Sequence, residues 1–227
     1  MSQTLNCSVK VTRVSEVCET SHLLEIPVFK TLMEYVLFDQ WESVLDRYKH
    51  APNIEIEIRF GRKSGHNFDT NVGSETFQKC LKSLDTYTGW ESKRHDKFDV
   101  YYFEGGKRLQ INEQTEERDS VIKQRVLVDD FALPGLPFDV RLGVSTETPF
   151  EYDGETATEQ KTKERWSFVR KNLSIDLSKV QGTPDDPDDD EDTSYQIEME
   201  IIDPAQLQTR DDAFKLMYKV FDLMKCV

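Results

Sequence analysis

Ile54-Glu55-Ile56-Glu57-Ile58 and Ile197-Glu198-Met199-Glu200-Ile201 place glutamates at alternate positions of otherwise apolar segments near opposite ends of a 227-residue chain. Successive side chains of a strand point to opposite faces, so Glu55 and Glu57 share a face with Arg59. Glu198 and Glu200 likewise share one, and Ile or Met fills the other face of both segments. If the two strands are neighbours in one sheet, four carboxylates crowd together. That is unfavourable unless basic side chains or a hard cation neutralise them, and oxygen-only ligands suit Mg²⁺ or Mn²⁺.

Working outward, strands are predicted over 54–62, 97–104, 107–114, 119–128, 138–148, 160–169, 173–179 and 194–202. Glu104-Gly105-Gly106-Lys107 is a hairpin signal, because two glycines accept the positive φ of tight turns. Short connections imply an antiparallel sheet, and weak alternation over 5–18 suggests a further outer strand. Three amphipathic helices are expected. The first spans about 28–48, its core stripe including Phe29, Val36, Leu37, Trp41 and Leu45. The second is capped by Ser74, with Phe77, Cys80, Leu81, Leu84 and Tyr87 on its stripe. The third covers about 211–225, capped by Thr209, with Phe214, Met217, Phe221 and Met224 inward.

Most strands pair an apolar face with one carrying both signs of charge: Arg108 and Gln110, Lys123 and Arg125, Asp139 and Arg141, Lys161, Lys163 and Arg165, Ser174 and Asp176. Two architectures satisfy this patterning. An open sheet would pack its apolar face on helices and turn its charges to water. A closed barrel would turn its apolar faces outward under the helices and enclose the charges in a lumen. Eight strands is a common closed size, and closure removes edges.

The net charge of −14 argues against non-specific nucleic-acid binding, although seven acids crowd into residues 185–192, read as a solvated loop. Four scattered cysteines, without CxxC spacing, favour reduced thiols over zinc or disulfides. No apolar run is long enough to span a membrane and no secretory signal is evident, which points to a cytoplasmic setting. In the closed reading, the carboxylates hold a divalent cation while lysines and arginines grip a polyanion, the recurring parts of phosphoryl transfer. The sequence has neither a Cys-x₅-Arg phosphatase loop nor a P-loop.

These segments, with Val121-Ile122-Lys123-Gln124-Arg125, the strand ending at Glu147, Lys161-Thr162-Lys163-Glu164-Arg165 and Ile175-Asp176-Leu177-Ser178, resemble the metal-dependent RNA 5′-triphosphatases of mRNA capping. These belong to the triphosphate tunnel metalloenzymes. The likeness spans about residues 54–202, and in size the chain is most similar to the triphosphatase domains of giant-virus (mimivirus-type) capping enzymes. It implies an α+β, β-dominated fold: a closed eight-stranded antiparallel β-barrel, the triphosphate tunnel, with a charged lumen and flanking helices. It implies Mg²⁺ or Mn²⁺ on Glu55, Glu57 and Glu200, with Glu198 supporting them. Arg108, Lys123, Lys163 and Arg165 would contact phosphates, Glu147 would orient and deprotonate water, and Asp176 would hold basic side chains. Arg59, Arg125, Arg141 and Lys161 are further substrate-binding candidates. Family members usually carry Arg where this chain has Ser174, so Arg170 or Lys171 is expected to replace that contact.

The implied reaction is hydrolysis of the γ-phosphate from the 5′-triphosphate end of RNA, with nucleoside triphosphates as further substrates. Residues 1–227 are expected to form one triphosphatase domain. Its abrupt apolar end suggests covalently linked guanylyltransferase and methyltransferase domains, and the viral likeness suggests host cytoplasm or virion. Rival readings are a tunnel enzyme for tripolyphosphate or another small triphosphate, whose relatives usually show ExExK rather than this chain's ExExR, and a non-catalytic barrel binding an anionic partner.

Overall fold

The computed structural model describes residues 25–182 and 193–227, with side chains from residue 33 onward. The expected outer strand at 5–18 and the acidic run at 185–192 lie outside the described residues. In chain order the elements are α1 (Glu25–Tyr48), β1 (Ile54–Ser64), β2 (Asn67–Asp69), α2 (Ser74–Thr86), β3 (Ser92–Tyr102), β4 (Lys107–Asn112), β5 (Arg118–Phe131), β6 (Asp139–Pro149), β7 (Glu159–Arg170), β8 (Leu173–Gly182), β9 (Thr193–Ile201) and α3 (Arg210–Leu223).

The strands order as β2-β1-β6-β5-β4-β3-β7-β8-β9, and an additional β1–β9 pairing closes β1 and β3–β9 into an eight-stranded antiparallel barrel. The open-sheet alternative is thereby excluded. β2 is a short addition, hairpinned to the end of β1. Gly105 and Gly106 take φ of 74° and 78°, as the hairpin signal requires.

Apolar faces turn outward. Ile56, Ile58 and Phe60 of β1, Val140, Leu142 and Val144 of β6, Leu177 of β8, and Ile197, Met199 and Ile201 of β9 form one core with α1, α2 and α3. Each fully buried aliphatic or aromatic side chain contributes roughly 2 kcal/mol, so the shell outside the strands holds the barrel closed. α1 is pinned to β5 by the Trp41 indole, which donates to Asp129 at 3.0 Å.

α3 begins with a capping box: Asp212 N–H donates to Thr209 Oγ1 at 3.1 Å, and Thr209 N–H donates to Asp212 Oδ2 at 3.0 Å. Three local expectations change. Ser74 is the first residue of α2 rather than its cap; Gly73, at φ 78°, caps it without a side-chain hydrogen bond. β3 starts at Ser92, five residues before the expected strand. Val36 is exposed although it falls on the apolar stripe of α1. Among the described residues no helix is long and apolar enough to cross a membrane.

Candidate active site

Alternation along eight strands delivers polar side chains to the inside of the barrel. A cavity of about 210 Å³ is lined by Glu55, Glu57 and Arg59 of β1, Arg108 and Gln110 of β4, Asp119 and Lys123 of β5, Glu147 of β6, Lys163 and Arg165 of β7, Asp176 of β8, and Glu198 and Glu200 of β9. Seven acids thus face five cations. The β1–β9 register sets Glu57 opposite Glu200 and Arg59 opposite Glu198. A larger groove of about 960 Å³ between α2, the β7–β8 turn and α3 is mostly apolar and gathers no comparable cluster.

Lys123 sits at the centre of the acidic group. It donates a very short hydrogen bond to Glu55 and lies 3.4 Å from Glu147 and 3.8 Å from Glu57. Arg108 reaches Glu147 at 3.2 Å. Arg59 bridges Glu57 at 3.0 Å and Glu198 at 3.1 Å, although its Nε has no contact with the angle of a hydrogen bond. Arg165 Nε and Ser178 Oγ are likewise buried without hydrogen-bond partners. Ser145 Oγ donates to Glu55 at 2.7 Å. Gly143, opposite Glu57, leaves the room that carboxylate occupies, since a Cβ there would stand 3.2 Å from Glu57 Cγ and Oε1.

Burial and neighbouring charge drive the carboxyls apart in acidity. Burial pushes Glu200 up, and Glu55, Asp176 and Glu147 push it further, to about 7. Glu57 is also raised, by burial and by Glu198. Burial would raise Glu198 too, but Arg59, Lys163 and Arg165 pull it down to about 2. At Glu55, Lys123 outweighs burial and holds the carboxyl below its ordinary value. Lys163 is pulled down to about 8, first by burial and then by Arg165.

Burial and like charge thus make Glu200, and Glu57 despite its bridge to Arg59, unfavourable as carboxylates in the protein alone. All-oxygen donors in this position fit a hard divalent cation. Among the described residues, however, no three His, Cys, Asp or Glu side chains are already gathered to grip an ion. The expected four-glutamate cluster is instead partitioned: Lys123 holds Glu55, Arg59 holds Glu198, and Glu200 is left with the surplus.

Of the other sequence candidates, Glu147, Arg108, Lys123, Lys163, Arg165, Asp176 and Arg59 line the cavity, whereas Arg125, Arg141 and Lys161 do not. Arg141 is taken by Asp130, at 2.6 and 3.0 Å, and stacks over the Phe68 ring at 4.7 Å. Lys161 pairs with Glu159 at 2.9 Å. Arg125 is exposed. All three lie on lumen-facing positions, but nearer one end of the barrel than the cavity, a height that alternation does not encode. Ser174 donates to Asp176 at 2.8 Å, and neither Arg170 nor Lys171 takes the place of an arginine there, since both line the outer groove. Asp119 was missed. It shares the face of Lys123 four residues upstream, and counting back by twos would have found it.

Comparison with known proteins places this geometry in context. The family described as "mRNA capping enzyme, beta chain" matches residues 67–226, from β2 to α3, leaving β1 outside the match. A curated relative, the mRNA-capping enzyme subunit beta of Cryptococcus neoformans, is 27% identical over 144 residues, covering 59% of this chain. This aligned part spans only 36% of that relative's length. Among solved structures, the S. pombe Pct1 RNA triphosphatase matches with a TM-score of 0.65 at 20% identity, over 85% of this chain and 90% of its own. The mimivirus capping enzyme triphosphatase matches with a TM-score of 0.53 at 15% identity, over 83% and 96%.

Proposed function

The chain belongs to the mRNA capping enzyme beta chain family, and from that premise we propose that it hydrolyses the γ–β phosphoanhydride at the 5′-triphosphate end of RNA, leaving a diphosphate end and phosphate. This is the first step of mRNA capping. The observation that carries the reading is the almost wholly polar cavity inside the closed barrel, in which seven acids face five cations.

Glu55, Glu57 and Glu200 would hold Mg²⁺ or Mn²⁺, with Glu198 fixing the seam through Arg59. The ion, when bound, neutralises phosphate charge and promotes ionisation of a nearby water. Lys163, Arg165, Arg108 and Lys123 bind the phosphate chain. They are preorganised in a largely buried cavity, where electrostatic stabilisation of transition-state charge counts for more than at the surface. The buried, unpartnered Nε of Arg165 is a donor waiting for an acceptor. Glu147, fixed by Arg108 and Lys123, orients the attacking water in line with the leaving β-phosphate and takes its proton. Asp176, 3.9 Å from Arg165 and bonded by Ser174, holds that guanidinium in place. No covalent enzyme intermediate is needed. The same reading treats residues 1–227 as one triphosphatase unit acting in the cytoplasm, and takes nucleoside triphosphates as secondary substrates.

The decisive assay measures phosphate release from triphosphate-ended RNA in Mg²⁺, Mn²⁺ and EDTA, beside tripolyphosphate and nucleoside triphosphates, for wild type and Glu55→Ala. The expected result is metal-dependent release from RNA, lost in EDTA and in the variant. Release from tripolyphosphate alone would favour a small-triphosphate hydrolase. Binding of RNA without release would favour a non-catalytic barrel.

A further inference from the structure

Resting on that reading, we propose that Arg125 grips the nucleotide portion of the RNA just outside the tunnel, and so separates triphosphate-ended RNA from small triphosphates. Neighbouring strands alternate in direction, so the ends of β1, β3, β5 and β8 meet the starts of β4, β6, β7 and β9 at one mouth. Arg125, Arg141 and Lys161 lie toward that mouth from the cavity residues of their own strands, and Arg59 is the β1 cavity residue nearest it. Three of them are occupied: Arg59 by Glu57 and Glu198, Arg141 by Asp130, Lys161 by Glu159. Arg125 has no hydrogen-bond or ion-pair partner among the described residues.

Its backbone is built for this position. Arg125 pairs with Ser145, whose hydroxyl reaches Glu55, so it stands on the lumen-facing side directly beyond Lys123. A β-bulge follows at once, with the register shifting between Arg125 and Leu127. Bulges recur at barrel rims, where they re-aim a side chain. Because β4 begins only at Lys107, opposite Ile122, the later part of β5 pairs with β6 alone and forms an open shelf. Val126 and Val128 on this shelf are exposed.

Size fixes what reaches it. A cavity of about 210 Å³ is smaller than the roughly 300 Å³ at which sites for whole small molecules begin. It suits phosphates and leaves nucleosides outside. Arg125 lies two residues beyond Lys123, roughly 7 Å at the rise of a strand, with a long side chain reaching farther.

The test compares wild type, Arg125→Ala and Arg125→Lys by kcat/KM on triphosphate-ended RNA and on inorganic tripolyphosphate, with salt dependence. The expected result for Arg125→Ala is about a tenfold fall in the RNA-to-tripolyphosphate ratio and a loss of roughly 0.7 from the log–log salt slope on RNA. Arg125→Lys should recover most of the ratio. An unchanged ratio, whether both efficiencies fall together or neither moves, would overturn the assignment while leaving the proposed function standing. Wild-type protein that releases phosphate from tripolyphosphate but not from RNA would overturn both.

Discussion

Glu57 of β1 and Glu200 of β9 face each other directly across the seam that closes the barrel, and both carboxyls are raised above their ordinary value. Two acids left short of compensation across one strand pair mark where a cation of higher charge belongs. They also make the seam a point where function works against stability, because buried like charges destabilise the fold that holds them.

Glu200→Gln should therefore stabilise the protein in EDTA while removing most activity. A carboxyl raised from 4.5 to about 7 binds its proton more tightly in the native than in the unfolded chain. Stability consequently falls as pH rises across that interval, and the cost is fully present above about 7. The variant should gain on the order of 2 kcal/mol at pH 8 and nothing near pH 4. Thermal melts at the two pH values decide it, and equal behaviour of variant and wild type at pH 8 would refute the surplus charge.

Lys163 should set an alkaline limit on substrate capture. It is charged below about 8 and neutral above, so its attraction for phosphate is lost as pH rises through that value. In the free protein, kcat/KM should fall through a limb near pH 8, and Lys163→Arg should move that limb upward, since a guanidinium stays protonated. A pH profile with the same limb in both proteins would assign it to another group.

Lys123→Met leaves Glu55, Glu57 and Glu147 facing one another without their shared ammonium. In EDTA the expected cost is on the order of 2 kcal/mol, a fall of roughly 6 °C in melting temperature. Excess Mg²⁺ should restore much of it by replacing the missing positive charge. An equal loss with and without the ion would mean that these carboxylates do not take up a divalent cation.

Gly143→Ala tests positioning without deleting any charged group. The new Cβ forces Glu57 to shift by a few tenths of an ångström. Activity should fall about tenfold while stability changes by less than about 1 kcal/mol, because small misplacements cost rate more than fold. Phosphate-release kinetics beside a denaturant titration separate the two.

Much of this was legible in the residues. The alternation of Ile with Glu over 54–58 and 197–201 identified both seam strands, Gly105-Gly106 marked the β3–β4 hairpin, and Thr209 with Asp212 marked the start of α3. The site read less completely. Arg141 and Lys161 carry the same face parity as Lys123 and Lys163, yet the structure gives them to Asp130 and Glu159 near the mouth. β2 escaped notice because three residues are too few to show a period.

The amino-acid order determined which side chains share a face, since the pleat alternates with a period of two whatever the strand's surroundings. It could not determine whether that face meets water or a lumen, because a solvated sheet and a closed barrel demand the same pattern. Pairing between β1 and β9, segments about 140 residues apart in the chain, made that choice. The helices, by burying the apolar faces from outside, left the charged ones nowhere to point but in.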